Sequence, residues 1–106
     1  MCRLFASQDP ASYAAETRPV RLSGHATSIR LEAAFWGILE EIARAEGLSV
    51  ARFTAVLHDE MMARHGEVPN FASFLRVTCL HYLADRAVHA REVASRADAE
   101  SVSAIG

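Results

Sequence analysis

The stretch Arg18-Pro19-Val20-Arg21-Leu22-Ser23-Gly24-His25-Ala26-Thr27-Ser28-Ile29-Arg30-Leu31 alternates apolar and polar residues twice around one glycine, and Val20-Arg21-Leu22 recurs as Ile29-Arg30-Leu31. Alternation of period two marks a strand that buries one face. Two arrangements satisfy it. In a hairpin turning at Gly24-His25, Val20 faces Ile29 and Leu22 faces Thr27 on the apolar side, while Arg21 faces Ser28 and Pro19 faces Arg30 on the polar side. In the other, the segment is one continuous bent strand.

Downstream the period changes. From Ala33 to Glu46 the apolar residues Leu31, Phe35, Ile38, Leu39 and Ile42 recur at helical steps, which predicts a helix with one buried stripe. Gly47 stands where a helix ends in the left-handed region and Ser49 can cap the next, so Glu46-Gly47-Leu48-Ser49 reads as a tight helix-helix turn. A second helix runs from Val50 to His65, with Phe53, Val56, Leu57 and Met61 along one side and Gly66 closing it. Pro69-Asn70 then breaks the chain and caps a third helix. Its residues Phe71, Phe74, Leu75, Val77, Cys79, Leu80, Tyr82 and Leu83 cover an arc too wide for one neighbour, so burial from two sides is expected, with a second subunit as one source.

Past Ala87 the third helix either continues exposed or gives way to a flexible, frayed tail over residues 89–106. Residues 1–16 contain the turn-forming cluster Gln8-Asp9-Pro10-Ala11-Ser12 and read as an irregular arm with a short strand at Arg3–Phe5.

With 106 residues, 51% of them apolar and 23% charged, the composition is that of a globular protein with one domain, here residues 17–88, plus appendages. A Rossmann pair, a barrel and a kinase are all too large. No apolar run approaches the roughly 18 residues that span a bilayer, and Met1 to Phe5 lack a signal-like stretch, so a cytoplasmic protein without a membrane partner is expected. In a reducing compartment Cys2 and Cys79 read as free thiols.

The net charge of −2 divides unevenly. Every basic residue is arginine; Thr17 to Leu31 carries +3 (Arg18, Arg21, Arg30) and Glu32 to Glu100 carries −4. A basic strip on an acidic body suits a face turned toward an anion.

A strand and two short helices are too small a unit to bury their apolar faces alone, and two copies solve the problem together. Pairing the strand with its mate gives a ribbon whose inner face (Thr27, Ile29, Leu31) covers four helices and whose outer face (Ala26, Ser28, Arg30) meets solvent. Such a ribbon fits the DNA major groove. The segment from Ser28-Ile29-Arg30-Leu31 through Phe35-Trp36, Leu39, Ile42-Ala43 and Glu46-Gly47-Leu48-Ser49 to Val50 resembles the ribbon-helix-helix superfamily of Arc-like and MetJ-like proteins. The wider pattern, with Met1-Cys2, Asp9-Pro10, Thr17-Arg18, Gly24-His25, Thr27 to Glu32, Asn70-Phe71 and Leu75-Arg76, is similar to a bacterial subfamily of such domains.

The resemblance implies a mainly α fold with an N-terminal strand or hairpin and an additional third helix. It implies an intertwined homodimer, with higher oligomers on DNA, acting as a sequence-specific transcriptional regulator with its antiparallel ribbon in the major groove. By position, Ala26, Ser28 and Arg30 meet base edges, with Arg30 suited to guanine. Arg21, Arg52 and the backbone N–H groups of Ser49, Val50 and Ala51 meet phosphates. Ile29, Leu31, Phe35, Trp36, Leu39, Ile42, Phe53 and Leu57 form the dimer core, and Trp36, off the main stripe, reads as an interface residue.

Two features depart from strong DNA binders. Ala26 has no hydrogen-bonding side chain, and a hairpin would make the ribbon four strands wide, beyond a groove about 12 Å across unless the outer strands splay over the backbone. The alternative function is a dimeric protein-interaction module of the same fold, with a protein partner on the third helix.

An enzyme, a metal site and a cofactor are not expected. Met-Cys-Arg-Leu-Phe resembles the start of class II glutamine amidotransferases, but 106 residues cannot build their layered sandwich. His58 and His65 share a helix face without a fixed third ligand and read as surface residues.

Overall fold

A computed structural model describes the backbone from Cys2 to Ile105 and the side chains from Arg3 to Arg96. Two short helices, α1 (Cys2–Ala6) and α2 (Pro10–Tyr13), precede β1 (Ala15–Leu22) and β2 (His25–Glu32), followed by α3 (Ala33–Ala45), α4 (Val50–His65) and α5 (Phe71–Ile105). The strand expected at Arg3–Phe5 is therefore helical. This segment satisfies its backbone locally, with the Ser7 N–H donating to the Arg3 carbonyl at 3.1 Å.

The alternating stretch is a hairpin within one chain, with Val20 opposite Thr27, Leu22 opposite His25 and Arg18 opposite Ile29. The turn is Ser23-Gly24 rather than Gly24-His25, so each pairing moves by two residues. Both turn residues have positive φ, 51° at Ser23 and 80° at Gly24, the type I′ geometry whose twist matches paired strands. A shift of two preserves the faces. Val20, Ile29 and Leu31 remain on the buried side, and Thr17, Pro19, Arg21, Ala26, Ser28 and Arg30 remain exposed.

The helices begin and end where their caps stand. Ser49 Oγ accepts from the Arg52 N–H at 3.1 Å and Asn70 Oδ1 accepts from the Ser73 N–H at 3.1 Å, while Gly66 closes α4 at φ 76°. The core gathers Val20, Ile29, Leu31, Trp36, Leu39, Ile42, Ala43, Phe53, Leu75 and Cys79, with Phe35 and Leu57 packed half-buried against it.

Trp36 is fully covered inside the chain, not placed on an interface. Its Nε1 donates to the Glu16 carbonyl at 2.8 Å, and the Arg18 guanidinium lies 4.8 Å from the ring centroid. Helix α5 buries Leu75 and Cys79 on one side, while Val77 and Leu80 on the other are 47% and 59% exposed; a single chain covers one flank of this helix, not two. Beyond Ala87 the helix continues, with its side chains exposed as far as they are described.

Candidate nucleic-acid interface

The outer face of the hairpin carries Thr17, Pro19 and Arg21 from β1 beside Arg30, Ser28 and Ala26 from β2, in the cross-strand pairs Thr17/Arg30, Pro19/Ser28 and Arg21/Ala26. All six are exposed, and none is acidic. Ala26, Ser28 and Arg30 thus share one solvent-facing row, because every second residue of a strand points the same way. Thr17 and Pro19 share this surface, which position in the resemblance does not indicate; their signal is the alternation itself, which sets Pro19 on the polar face with either turn and carries it two residues further to Thr17.

Arg18 leaves the basic strip. It lies on the inner face, where its Nη1 meets Glu40 Oε1 at 2.9 Å and its Nε meets Glu16 Oε1 at 3.4 Å. Desolvation pulls its pKa down, but hydrogen bonds to Glu40 and Glu16 more than offset it and leave it raised. The +3 strip therefore presents two arginines outward, Arg21 and Arg30.

At the hairpin tip, Arg21, Ser23 and Gly24 share a groove of about 410 Å³ with Ser49, Ala51, Arg52, Ala55 and Asp59 of the α4 end. Four of the five expected phosphate-contacting residues meet here, and Val50 beside them turns its side chain toward the core. The Ser49 hydroxyl takes the Arg52 N–H, which leaves the N–H groups of Val50 and Ala51 in the first turn without a capping partner. Arg21 Nη1 donates to the Gly24 carbonyl at 3.2 Å, which holds the guanidinium over the turn. Ser23 Oγ lies 3.3 Å from both His58 Nδ1 and Asp59 Oδ1, tying the tip to α4. His58 also sets its ring edge-on to Phe71 at 5.2 Å.

The residues expected in a dimer core lie in the core of the single chain: Ile29, Leu31, Trp36, Leu39, Ile42 and Phe53 are buried, and Phe35 and Leu57 line it. Among the described residues no cluster of three metal-ligating side chains occurs. No helix there is long and apolar enough to cross a membrane. The Cys2 side chain lies outside the described residues. Burial pushes the Cys79 thiol up to about 11, and its Sγ lies 3.7 Å from the Phe35 carbonyl.

A strand hairpin, two helices joined by a glycine turn and an exposed polar strand face define a class. The ribbon-helix-helix domain model matches residues 15–83, and the chain belongs to that family. It is similar to the solved structure of an uncharacterized protein from Bordetella pertussis Tohama I, with 44% identity and a TM-score of 0.80 over 83% of this chain and 70% of that one. The comparison with curated proteins finds no match.

Proposed function

We propose that the protein is a homodimeric, sequence-specific DNA-binding regulator whose functional unit is residues 17–88, with residues 1–16 as an arm and 89–106 as an appendage. The observation that carries this reading is the outer hairpin face from Thr17 to Arg21 and Ala26 to Arg30: six exposed residues, none of them acidic, with Arg21 and Arg30 among them, on a family fold that is generally non-enzymatic. Arg30 supplies a forked donor for guanine, Ser28 a short hydroxyl, and Ala26 close approach. Arg21, Arg52 and the N–H groups of Val50 and Ala51 supply the anion-facing surround at the helix end.

Dimerisation draws support from what one chain leaves uncovered. Thr27 and His25 lie on the inner face yet are exposed, and Val56, Leu57 and Met61 of α4 are only half-buried. A second copy would complete both surfaces.

Selection from a randomised duplex pool, followed by a mobility-shift titration across salt, tests the reading. The expected result is retention of a common sequence with affinity falling steeply as salt rises, because bound phosphates release counterions. Failure to retard any duplex at low salt would favour the second reading, a protein-interaction module. The exposed Val77 and Leu80 on α5 are the observation on that side.

A further inference from the structure

Hydrogen-bond parity fixes what each edge of the hairpin offers. The Ala33 N–H donates to the Ala14 carbonyl at 2.9 Å, continuing the closely bonded pairs Leu22/His25, Val20/Thr27, Arg18/Ile29 and Glu16/Leu31. The odd-numbered residues of β2 therefore spend their backbone groups on β1, and Ala26, Ser28 and Arg30 direct theirs to the opposite edge. On the far edge of β1 the outward set includes Pro19, which has no N–H to offer. The β1 edge is blunted and the β2 edge is complete.

A second copy added antiparallel at β2 must set even-numbered residues against even-numbered residues. Glu32 ends that ladder, because it is the cap residue of α3, where the carbonyl starts the helix, and its carboxylate is held by Arg76 at 2.9 and 3.2 Å. Centring the pair on Ser28 sets Ala26 against Arg30 of the second copy and gives every open group of Ala26, Ser28 and Arg30 a partner. Centring it on Ile29 leaves Ala26 facing Glu32.

The outer face then has four strands in the order β1, β2, β2, β1. Each of its flanking rows reads Arg21, Ala26, then Arg30 and Thr17 of the second copy. Four strands span about 14 Å between their outermost axes, more than a groove about 12 Å wide admits beside side chains. The β2 pair fits; the β1 strands do not.

Resting on the DNA-binding reading, we propose that β1 is a backbone-contacting strand added to the ribbon. Arg21 holds the phosphates flanking the groove, in the same row as Arg30 of the second copy, which reads a base within it. Arg52 and Ser49 of the tip groove extend the Arg21 surface along the same β1 side. The two Arg30 residues stand four positions apart along the ribbon, about 14 Å at the rise of a strand. At about 3.4 Å per base pair, their guanines lie about four base pairs apart.

Two measurements test this on the full chain carrying Cys2→Ser, with Cys79 left in place because it is fully buried. Ser28→Cys should form an intermolecular disulfide under mild oxidation, since facing Cα atoms in a bonded pair stand about 5.5 Å apart, within bridging range. Ala26→Cys alone should not, and mixing it with Arg30→Cys should restore the cross-link. On a selected duplex, Arg21→Ala should lower the salt slope by about two per dimer with base preference unchanged, and Arg91→Ala on α5 should leave the slope as it was.

Self-cross-linking of Ala26→Cys, or none at Ser28→Cys in a protein that sediments as a dimer, overturns the arrangement. A change of base preference on Arg21→Ala puts β1 inside the groove and overturns it too, as does an unchanged slope. Cross-linking at Ser28→Cys in a protein that binds no duplex would sink the DNA reading and the phosphate role of Arg21 while leaving the four-stranded sheet standing.

Discussion

Replacing Trp36 with phenylalanine tests whether the tryptophan anchors β1 to α3 within one chain. The change removes the Nε1–H that donates to the Glu16 carbonyl at 2.8 Å; that carbonyl keeps the ladder N–H of Leu31, so the loss is one net hydrogen bond, about 0.5–1.5 kcal/mol. The phenyl ring also falls short of the indole by about 40 Å³, which at the measured cost of residual cavities adds about 1 kcal/mol. Some attraction between Arg18 and the ring survives, because phenylalanine still offers a face.

The expected loss is therefore about 1.5–2.5 kcal/mol, which for a domain of this size lowers Tm by roughly 6–20 °C. Urea unfolding followed by circular dichroism, at one fixed protein concentration, gives the number. The wild type, with its single tryptophan, should also show blue-shifted emission that moves red in the same transition. A loss below about 0.5 kcal/mol would refute the anchoring argument, since only a solvent-facing indole is that dispensable.

Arg30→Ala should leave stability within about 0.5 kcal/mol and cost about 1–3 kcal/mol of discrimination at one base pair of a selected duplex, read by competition binding. Glu32 is held below the usual carboxylate range by its hydrogen bond from Arg76, so its contribution is complete above that range and is lost as pH falls through the lowered value. Thermal melts should show wild type above Glu32→Gln near neutrality, with the two converging in acid. In a Cys2→Ser background, a maleimide should modify Cys79 only at the rate of global unfolding, because the thiol is fully buried and its pKa is about 11.

The faces of the hairpin are legible in the sequence because alternation survives any shift of two. Its register is not: the decision rests on whether Ser23 accepts a positive φ, and local sequence favours glycine there. The α4 bounds follow from Ser49 and Gly66, whose side-chain oxygen and missing Cβ act at fixed positions. Arg18 and Arg21 look alike in a charge count, yet strand parity sends one onto Trp36 and Glu40 and the other to solvent. Periodicity misplaces Trp36 because its partner carbonyl, at Glu16, belongs to a strand that a helical repeat cannot see. The arm misleads for the opposite reason, since a turn-rich composition does not say whether a short helix forms between the turns.

The length of α5 bears on how this molecule moves through water. A 35-residue helix on a small body gives extents of 61 × 39 × 22 Å and a radius of gyration of 18.2 Å. A compact chain of the same length would have about 13 Å. Friction follows shape, so even a lone chain should leave a gel-filtration column early, at the volume of a heavier sphere. Elution volume by itself would then report two copies where there is one, and subunit number must come from light scattering or sedimentation equilibrium, which weigh the particle whatever its outline.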